Sequence, residues 1–181
     1  MSILTSRFPK VLKRSRAAQR IIGVDPGLAS TGWGLVERAG NAVRYLAHGC
    51  INTKASLPQG ERLFFIYRDF CRILEEWKPH LAAIETLYFG RNVSSAIPVA
   101  EARGVVLMTL AQSGIKVEEF RPNAVKQGVV GQASADKKQV QLMVKIILEL
   151  KEEPHPQHAA DALAMALCAA RLPGGLLPRN L

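Results

Sequence analysis

Short apolar runs and stretches of helical periodicity alternate along the chain. Two of the apolar runs end in an acid, one from Ile21 to Asp25 and one from Leu81 to Glu85. The first run passes into Pro26-Gly27, which is a strong turn signal. Two further segments, 32–37 and 43–51, follow closely and have strand-like patterns. These three predicted strands are typical of an antiparallel meander.

Helical spacing of apolar residues begins near Gly60 and continues to Trp77, where Lys78-Pro79 predicts the end of the helix. Pro98 is expected to kink the next helix or to mark its true first turn. The remaining predicted elements are a helix over 94–112, a strand over 116–120, and helices over 122–129, 135–150 and 157–171. Three strands followed by alternating helix and strand predict an α/β fold, a mixed five-stranded sheet with helices on both faces.

Composition agrees with one folded domain. The chain has 181 residues, of which 48% are apolar, so it is long enough for one substantial core. No run of 18 apolar residues predicts a membrane span, and the first residues lack the apolar segment of a secretory signal. Three cysteines at wide spacing show no metal-binding pattern. We therefore expect a reducing compartment, the cytoplasm, and no membrane partner.

The net charge of +9 is unevenly distributed, because residues 1–20 contain six basic residues and no acid. A basic arm on a nearly balanced domain favours a polyanionic partner, most simply nucleic acid. The arm also has two simpler interpretations, a solvated tail or an over-extended start, and it has the composition of an organelle transit peptide. We divide the chain into a basic N-terminal extension (1–20), a domain (21–172) and a C-terminal tail (173–181).

The two acids at strand ends predict a functional site. If the first and fourth strands are parallel and adjacent, Asp25 and Glu85 meet beyond the carboxyl ends of the sheet, where ligands of α/β folds bind. Two neighbouring carboxylates repel each other, so one must take a proton or a cation must lie between them. A hard divalent cation satisfies both carboxylates.

The last predicted helix offers further ligands. His158 and Asp161 are three residues apart and therefore share one helix face. Together with Asp25 and Glu85 they form a candidate metal site suited to phosphodiester cleavage. Each residue also has a simpler role, which the sequence leaves open: acceptor of turn amides for Asp25, partner of an arginine for Glu85, a capping or surface position for His158, and complement of the helix dipole for Asp161.

Five motifs occur in order along the chain: DPGLASTGWG (25–34), IET (84–86), ARGVV (102–106), VKQGVVGQASADKKQVQLMV (125–144) and HAADALAMAL (158–167). Together they closely resemble the RuvC family of Holliday-junction resolvases, collinearly over residues 21 to about 170. The resemblance implies an RNase H-like fold and a homodimer. It also implies symmetric cutting of two strands at a four-way DNA junction with divalent metal.

By the same resemblance, Asp25, Glu85 and Asp161 match the family's metal-binding acids. His158 falls where many members have a fourth acid and some have histidine. The implied cofactor is a pair of Mg²⁺ ions per active site, with Mn²⁺ as the alternative. A nitrogen ligand at His158 suits manganese somewhat better than magnesium. We therefore predict that all four residues take part in metal binding and catalysis.

The resemblance also implies DNA-binding positions. Tyr88 falls where the family has an aromatic residue that stacks on unpaired bases, and Phe89 is the alternative for this role. Lys126 and Lys137 match lysines near the scissile phosphate, and Lys138 is a substitute for the second. For each lysine the simpler interpretation is a solvated surface charge. Branch-migration proteins are the further partners that the family implies.

Two other functions fit part of the sequence. An actin- or hexokinase-like phosphotransferase also begins with an acid and glycines after a strand, but it needs a second related domain that 181 residues do not supply. A catalytically inactive branched-DNA-binding module of the same fold is the second alternative, suggested by His158. Pro98 interrupts the helix that the family uses for dimerisation, whereas the small residues Ala100, Ala102 and Gly104 would still allow close packing.

Overall fold

The computed structural model describes residues 18–87 and 93–171. Five strands and five helices follow one another in the predicted order along this part of the chain. The elements are β1 (Gln19–Asp25), β2 (Ser30–Ala39), β3 (Ala42–Asn52), α1 (Gln59–Trp77), β4 (Leu81–Glu85), α2 (Val93–Gln112), β5 (Lys116–Phe120), α3 (Pro122–Val130), α4 (Lys137–Ile147) and α5 (Gln157–Arg171). No helix in these two ranges is long and apolar enough to cross a membrane.

The five strands form one mixed sheet in the order β3-β2-β1-β4-β5. The first three strands pair antiparallel, as expected for a meander. Strand β4 lies parallel to β1 on one side and to β5 on the other. The predicted α/β fold with a mixed five-stranded sheet is therefore confirmed, and so is the parallel contact between the first and fourth strands.

Successive residues of the central strands supply two separate cores, because side chains of a strand point alternately to opposite faces. On β1, Ile21 packs with α3, α4 and α5, whereas Ile22 packs with α1 and α2. Strand β4 repeats this division, with Ala83 in the first core and Ala82 in the second. Helices thus cover both faces of the sheet, as the sequence predicts.

Helix α4 is shorter than the predicted range 135–150. It begins at Lys137 because Asp136 caps it: the Asp136 carboxylate accepts from the Gln139 backbone, and the Gln139 side chain accepts from the Asp136 backbone. It ends at Ile147 because Glu149 has a φ of 53°, in the left-handed region that a helix cannot continue through. The periodicity of the apolar residues extends beyond both boundaries, so it could not locate them.

Pro98 lies inside α2, beyond its first turn, so it does not mark the true first turn of that helix. One other boundary differs from the sequence prediction. Strand β1 begins at Gln19, within the predicted N-terminal extension, because Arg20 is anchored in the fold. Its backbone N–H donates to Nδ1 of His80 over 3.1 Å and its guanidinium donates to the Trp77 carbonyl over 2.8 Å. The rest of the predicted extension, 1–17, and the tail, 173–181, lie outside the described residues.

Candidate active site

Asp25 and Glu85 end two neighbouring parallel strands, and their side chains point to the same face of the sheet. Gly23 and Asp25 follow Ile21 at intervals of two, so they share the sheet face that α5 covers. On β4, Glu85 follows Leu81 and Ala83 at intervals of two, so it also lies on this face. Because Val24 pairs with Ile84, the two acids leave the sheet side by side at its carboxyl edge.

Helix α5 carries the other two predicted ligands and lies unusually close to the sheet. A Cβ added at Gly32 would lie 2.1 Å from the His158 carbonyl oxygen, so only a glycine leaves room there. Gly32 is also the residue of β2 that lies opposite Asp25 in the antiparallel pairing with β1. The glycines of the sheet therefore allow the start of α5 to reach the end of β1.

The predicted carboxylates and two of the predicted lysines line one open pocket of about 330 Å³. Each comes from a different element, since Asp25 ends β1, Glu85 ends β4 and Asp161 lies in α5. The apolar part of the wall comes from α3, α4 and α5. The lining residues are Asp25, Glu85, Pro122, Val125, Lys126, Lys137, Val140, Asp161, Ala164 and Met165.

Asp25 is held by His158. Nδ1 of His158 lies 2.6 Å from Oδ2 of Asp25, the distance of a hydrogen bond in which the ring N–H donates to the carboxylate. The Asp25 side chain is only 21% exposed, and this burial raises its pKa despite the opposing effect of His158. The carboxylate is thus kept in a position where its charge is costly and a cation would stabilise it.

Glu85 and Asp161 complete the acidic cluster. Burial raises the pKa of Glu85, and the negative charges of Asp25 and Asp161 raise it further. Oδ2 of Asp161 lies 2.6 Å from the Lys137 ammonium in a half-exposed ion pair. Within the described ranges, no three His, Cys, Asp or Glu side chains are arranged closely enough to hold a metal ion as they stand. Lys137 is the cation that contacts Asp161 in this arrangement.

The turn after Asp25 is held by polar residues that sequence reasoning did not identify. The fully buried Thr31 hydroxyl donates to the Gly27 carbonyl over 2.8 Å. Thr53 donates to the Leu28 carbonyl over 2.6 Å and in turn accepts from Arg62 over 2.8 Å. These contacts, rather than Asp25 itself, satisfy the turn. The only sequence signal for Thr31 was its place inside the glycine-rich motif 25–34, which does not distinguish a structural from a functional role.

The predicted DNA-binding residues fall into three groups. Lys126 and Lys137 line the pocket with the acids. Lys138, the predicted substitute, is exposed on α4 and does not line it. Tyr88 and Phe89 lie outside the described residues.

Comparison with known proteins assigns the family. Residues 21–169 match the family model described as crossover junction endodeoxyribonuclease RuvC. The RuvC endonuclease of Treponema denticola is 50% identical over 152 residues, which are 84% of this chain and 85% of that protein. The RuvC endonuclease of Chloroflexus aggregans is 50% identical over 151 residues, which are 83% of this chain and 92% of that protein.

The fold gives the same assignment. The structure of Thermus thermophilus RuvC in complex with a Holliday junction substrate superposes with a TM-score of 0.79 at 36% identity, over 84% of this chain and 95% of that one. This structural similarity confirms the RNase H-like fold that the sequence motifs implied. The sequence matches, the shared sheet and the cluster of acids at its carboxyl edge agree with one another: the chain belongs to the RuvC family of crossover junction endodeoxyribonucleases.

Proposed function

We propose that the acidic pocket is the centre at which this endodeoxyribonuclease hydrolyses two opposed strands of a four-way DNA junction. The observation that carries the proposal is the convergence of Asp25, Glu85 and Asp161, from three separate elements, on one pocket that also contains Lys126 and Lys137. Carboxylates beside lysines provide ligands for divalent cations and positive charge for a phosphate group. Family membership supports the junction as substrate, since a related RuvC structure is a complex with a Holliday junction.

The donor set fits hard divalent ions. Buried carboxylates with raised pKa values are stabilised when a cation neutralises them, and oxygen is the donor that magnesium and manganese prefer. Asp25, Glu85 and Asp161 would hold a pair of Mg²⁺ or Mn²⁺ ions. His158, which contacts Asp25, would add a nitrogen donor, and such a donor favours Mn²⁺. Bound divalent ions supply an activated water and stabilise charge on the leaving oxygen.

The chain's own residues perform the rest of the work in this proposal. Lys126 and Lys137 place positive charge in the wall of the pocket, where it attracts a phosphodiester and neutralises part of its charge. The hydrogen bonds of Thr31 and Thr53 hold the turn that follows Asp25 and so keep its carboxylate in place. His158 orients the same carboxylate from α5.

The sequence left two alternative functions open, a phosphotransferase and an inactive DNA-binding module. Membership of the RuvC family replaces the phosphotransferase interpretation. A catalytically inactive junction-binding module differs from the proposal only in chemistry, and the retention of all three acids in one pocket favours the enzyme. A direct cleavage experiment separates the two.

The decisive experiment compares a labelled mobile four-way junction with a linear duplex of the same sequence, each with Mg²⁺, with Mn²⁺ or with chelator. We expect paired nicks in opposed strands of the junction, in both metals and not in chelator, and no cutting of the duplex. The ratio of rates in the two metals measures the metal preference, which His158 is expected to shift towards Mn²⁺. Tight junction binding without nicks in either metal would instead establish the inactive binding module.

We also propose that the protein acts as a homodimer through α2. Ile97 and Met108 are 50% and 55% exposed, and exposed Gly104 lies between them on the same helix face. Phe64 on α1, which packs against α2, is 59% exposed as well. Large apolar side chains grouped on one face are typical of a protein interface. A second copy of the chain would bring a second acidic pocket for the opposed DNA strand.

Replacing Met108 by Glu tests the dimer. We expect the dimer dissociation constant to rise by about 100-fold or more, because burying an unpaired carboxylate costs several kcal/mol. Light scattering coupled to size exclusion measures the change. Leu142→Glu is the matched control, since Leu142 is a similarly exposed apolar residue on α4. Equal dimerisation of all three proteins would place the interface elsewhere.

Family membership supports two further parts of the proposal. Branch-migration proteins are the partners with which a junction resolvase would share its DNA substrate. The compartment would be the bacterial cytoplasm, in association with the nucleoid, and all three cysteines are free thiols, as a reducing compartment requires.

A further inference from the structure

Lys137 is built into the acidic site by the way α4 begins. It is the first residue of α4, directly after Asp136, whose capping box with Gln139 determines where the helix starts. Its ammonium lies 2.6 Å from Oδ2 of Asp161, with the two side chains 49% and 29% exposed. The contact joins residues 24 positions apart in sequence and connects α4 to α5 at the pocket. The position of this lysine therefore follows from the fold and not from a chance surface encounter.

The charge of Lys137 reaches the whole acidic cluster. Besides its direct contact with Asp161, it lowers the pKa of Asp25 and of Glu85, although burial raises both by more. Among the described lysines, Lys137 alone has this effect on the two acids, although Lys126 lines the same pocket. The described part of the chain contains no ready-made arrangement of three metal ligands. The ammonium thus contacts a carboxylate oxygen that a divalent ion bound in the pocket would need.

We propose that Lys137 is the resident counter-ion of the acidic cluster in the DNA-free protein, and that a divalent ion must displace it from Asp161 in order to bind. The proposal rests on the metal site proposed above. An ammonium and a divalent cation compete for the same carboxylate oxygen and repel each other. Lys137 therefore weakens metal binding before DNA arrives. Once displaced, its ammonium remains in the pocket wall, where a phosphate oxygen is a suitable acceptor.

The test is a calorimetric titration of Mn²⁺ into the DNA-free protein and four variants, Lys137→Gln, Lys137→Arg, Lys138→Gln and Asp161→Asn. Lys137→Gln removes the counter-ion, and we expect it to bind Mn²⁺ about tenfold more tightly, since one competing unit charge a few ångströms away is lost. Lys137→Arg keeps a cation and is expected to bind as weakly as the wild type. Lys138→Gln is the matched control, because it removes the same charge one residue away and outside the pocket.

A thermal melt gives a second readout that does not depend on activity. Lys137→Gln removes the ammonium that offsets the repulsion among the three carboxylates, so its melting temperature should fall in chelator and rise more with Mn²⁺ than that of the wild type. Asp161→Asn separates the two proposals. Undiminished Mn²⁺ binding to Asp161→Asn would overturn the metal site itself. Weakened binding to Asp161→Asn together with unchanged or weaker binding to Lys137→Gln would overturn only the counter-ion role.

Discussion

Replacing Asp25 by Asn is expected to lower the rate of junction cleavage by at least about 10³-fold, the scale of several kcal/mol of lost transition-state stabilisation. Asp25 contributes a buried carboxylate from the end of β1 to the acidic pocket. The neutral amide has the same shape, so it preserves the packing of the turn that follows, but it binds a divalent cation poorly. Single-turnover cleavage of a labelled junction in Mg²⁺ and in Mn²⁺ measures the loss.

Junction binding by the same variant should remain within about threefold of the wild type, because contacts to DNA phosphates dominate affinity and the substitution removes a negative charge. Fluorescence anisotropy in chelator measures this affinity without cleavage. Asp69→Asn is the matched control, since Asp69 pairs with Arg68 and Arg72 on the surface of α1, away from the pocket. Loss of binding or of folding in Asp25→Asn would show that Asp25 has a structural role instead.

The position of the Asp25 carboxylate was predictable from the sequence because a short apolar run that ends in an acid is a local signal of a buried strand and of where it ends. Two apolar runs, each ending in an acid, predicted neighbouring strands with acids at one edge, and the parallel pairing of β1 with β4 has this form. The end of helix α1 was equally predictable: Lys78-Pro79 predicted it, and the helix does end at Trp77, with Lys78 in the left-handed conformation. Local signals of this kind depend only on the chain close to them.

Other features depend on contacts between distant residues and could not be predicted. The ends of α4 result from a capping box and a left-handed residue, within an apolar pattern that continues past both. The ion pair of Lys137 with Asp161 needs the packing of α4 against α5. The resemblance to known resolvases marked Lys137 as a candidate for contact with phosphate, but only the three-dimensional structure shows its carboxylate partner.

The approach of α5 to the sheet explains how the site is assembled. Gly23, Gly32 and Gly34 lie beneath α5, and a Cβ at any of them would come within 3.0 Å of the backbone of that helix. Nearly every residue of α5 from Ala159 to Ala170 is buried. The helix therefore cannot shift without disturbing the core, and its place against the sheet determines how far Asp161 lies from Asp25.

Replacing Gly23 by Ala is therefore expected to lower the free energy of unfolding by about 3 kcal/mol, the upper range for overpacking a core. The new methyl group would lie 1.9 Å from the Ala162 carbonyl oxygen and 2.7 Å from the Ala166 nitrogen. Both are backbone atoms, so no side chain can rotate away and α5 itself must move. A displacement of about 1 Å at a catalytic site can cost 10²-fold in rate, so cleavage by the folded fraction should fall as well.

Urea denaturation followed by circular dichroism measures the stability, and the junction assay measures the rate. Gly60→Ala is the matched control, because Gly60 lies in α1 with no atom within 4 Å of the added methyl group. We expect it to be as stable as the wild type or more stable by up to about 1 kcal/mol, since alanine is the better helix former. A Gly23→Ala protein with wild-type stability and rate would mean that α5 lies farther from β1, and the distance between Asp25 and Asp161 would then not depend on this contact.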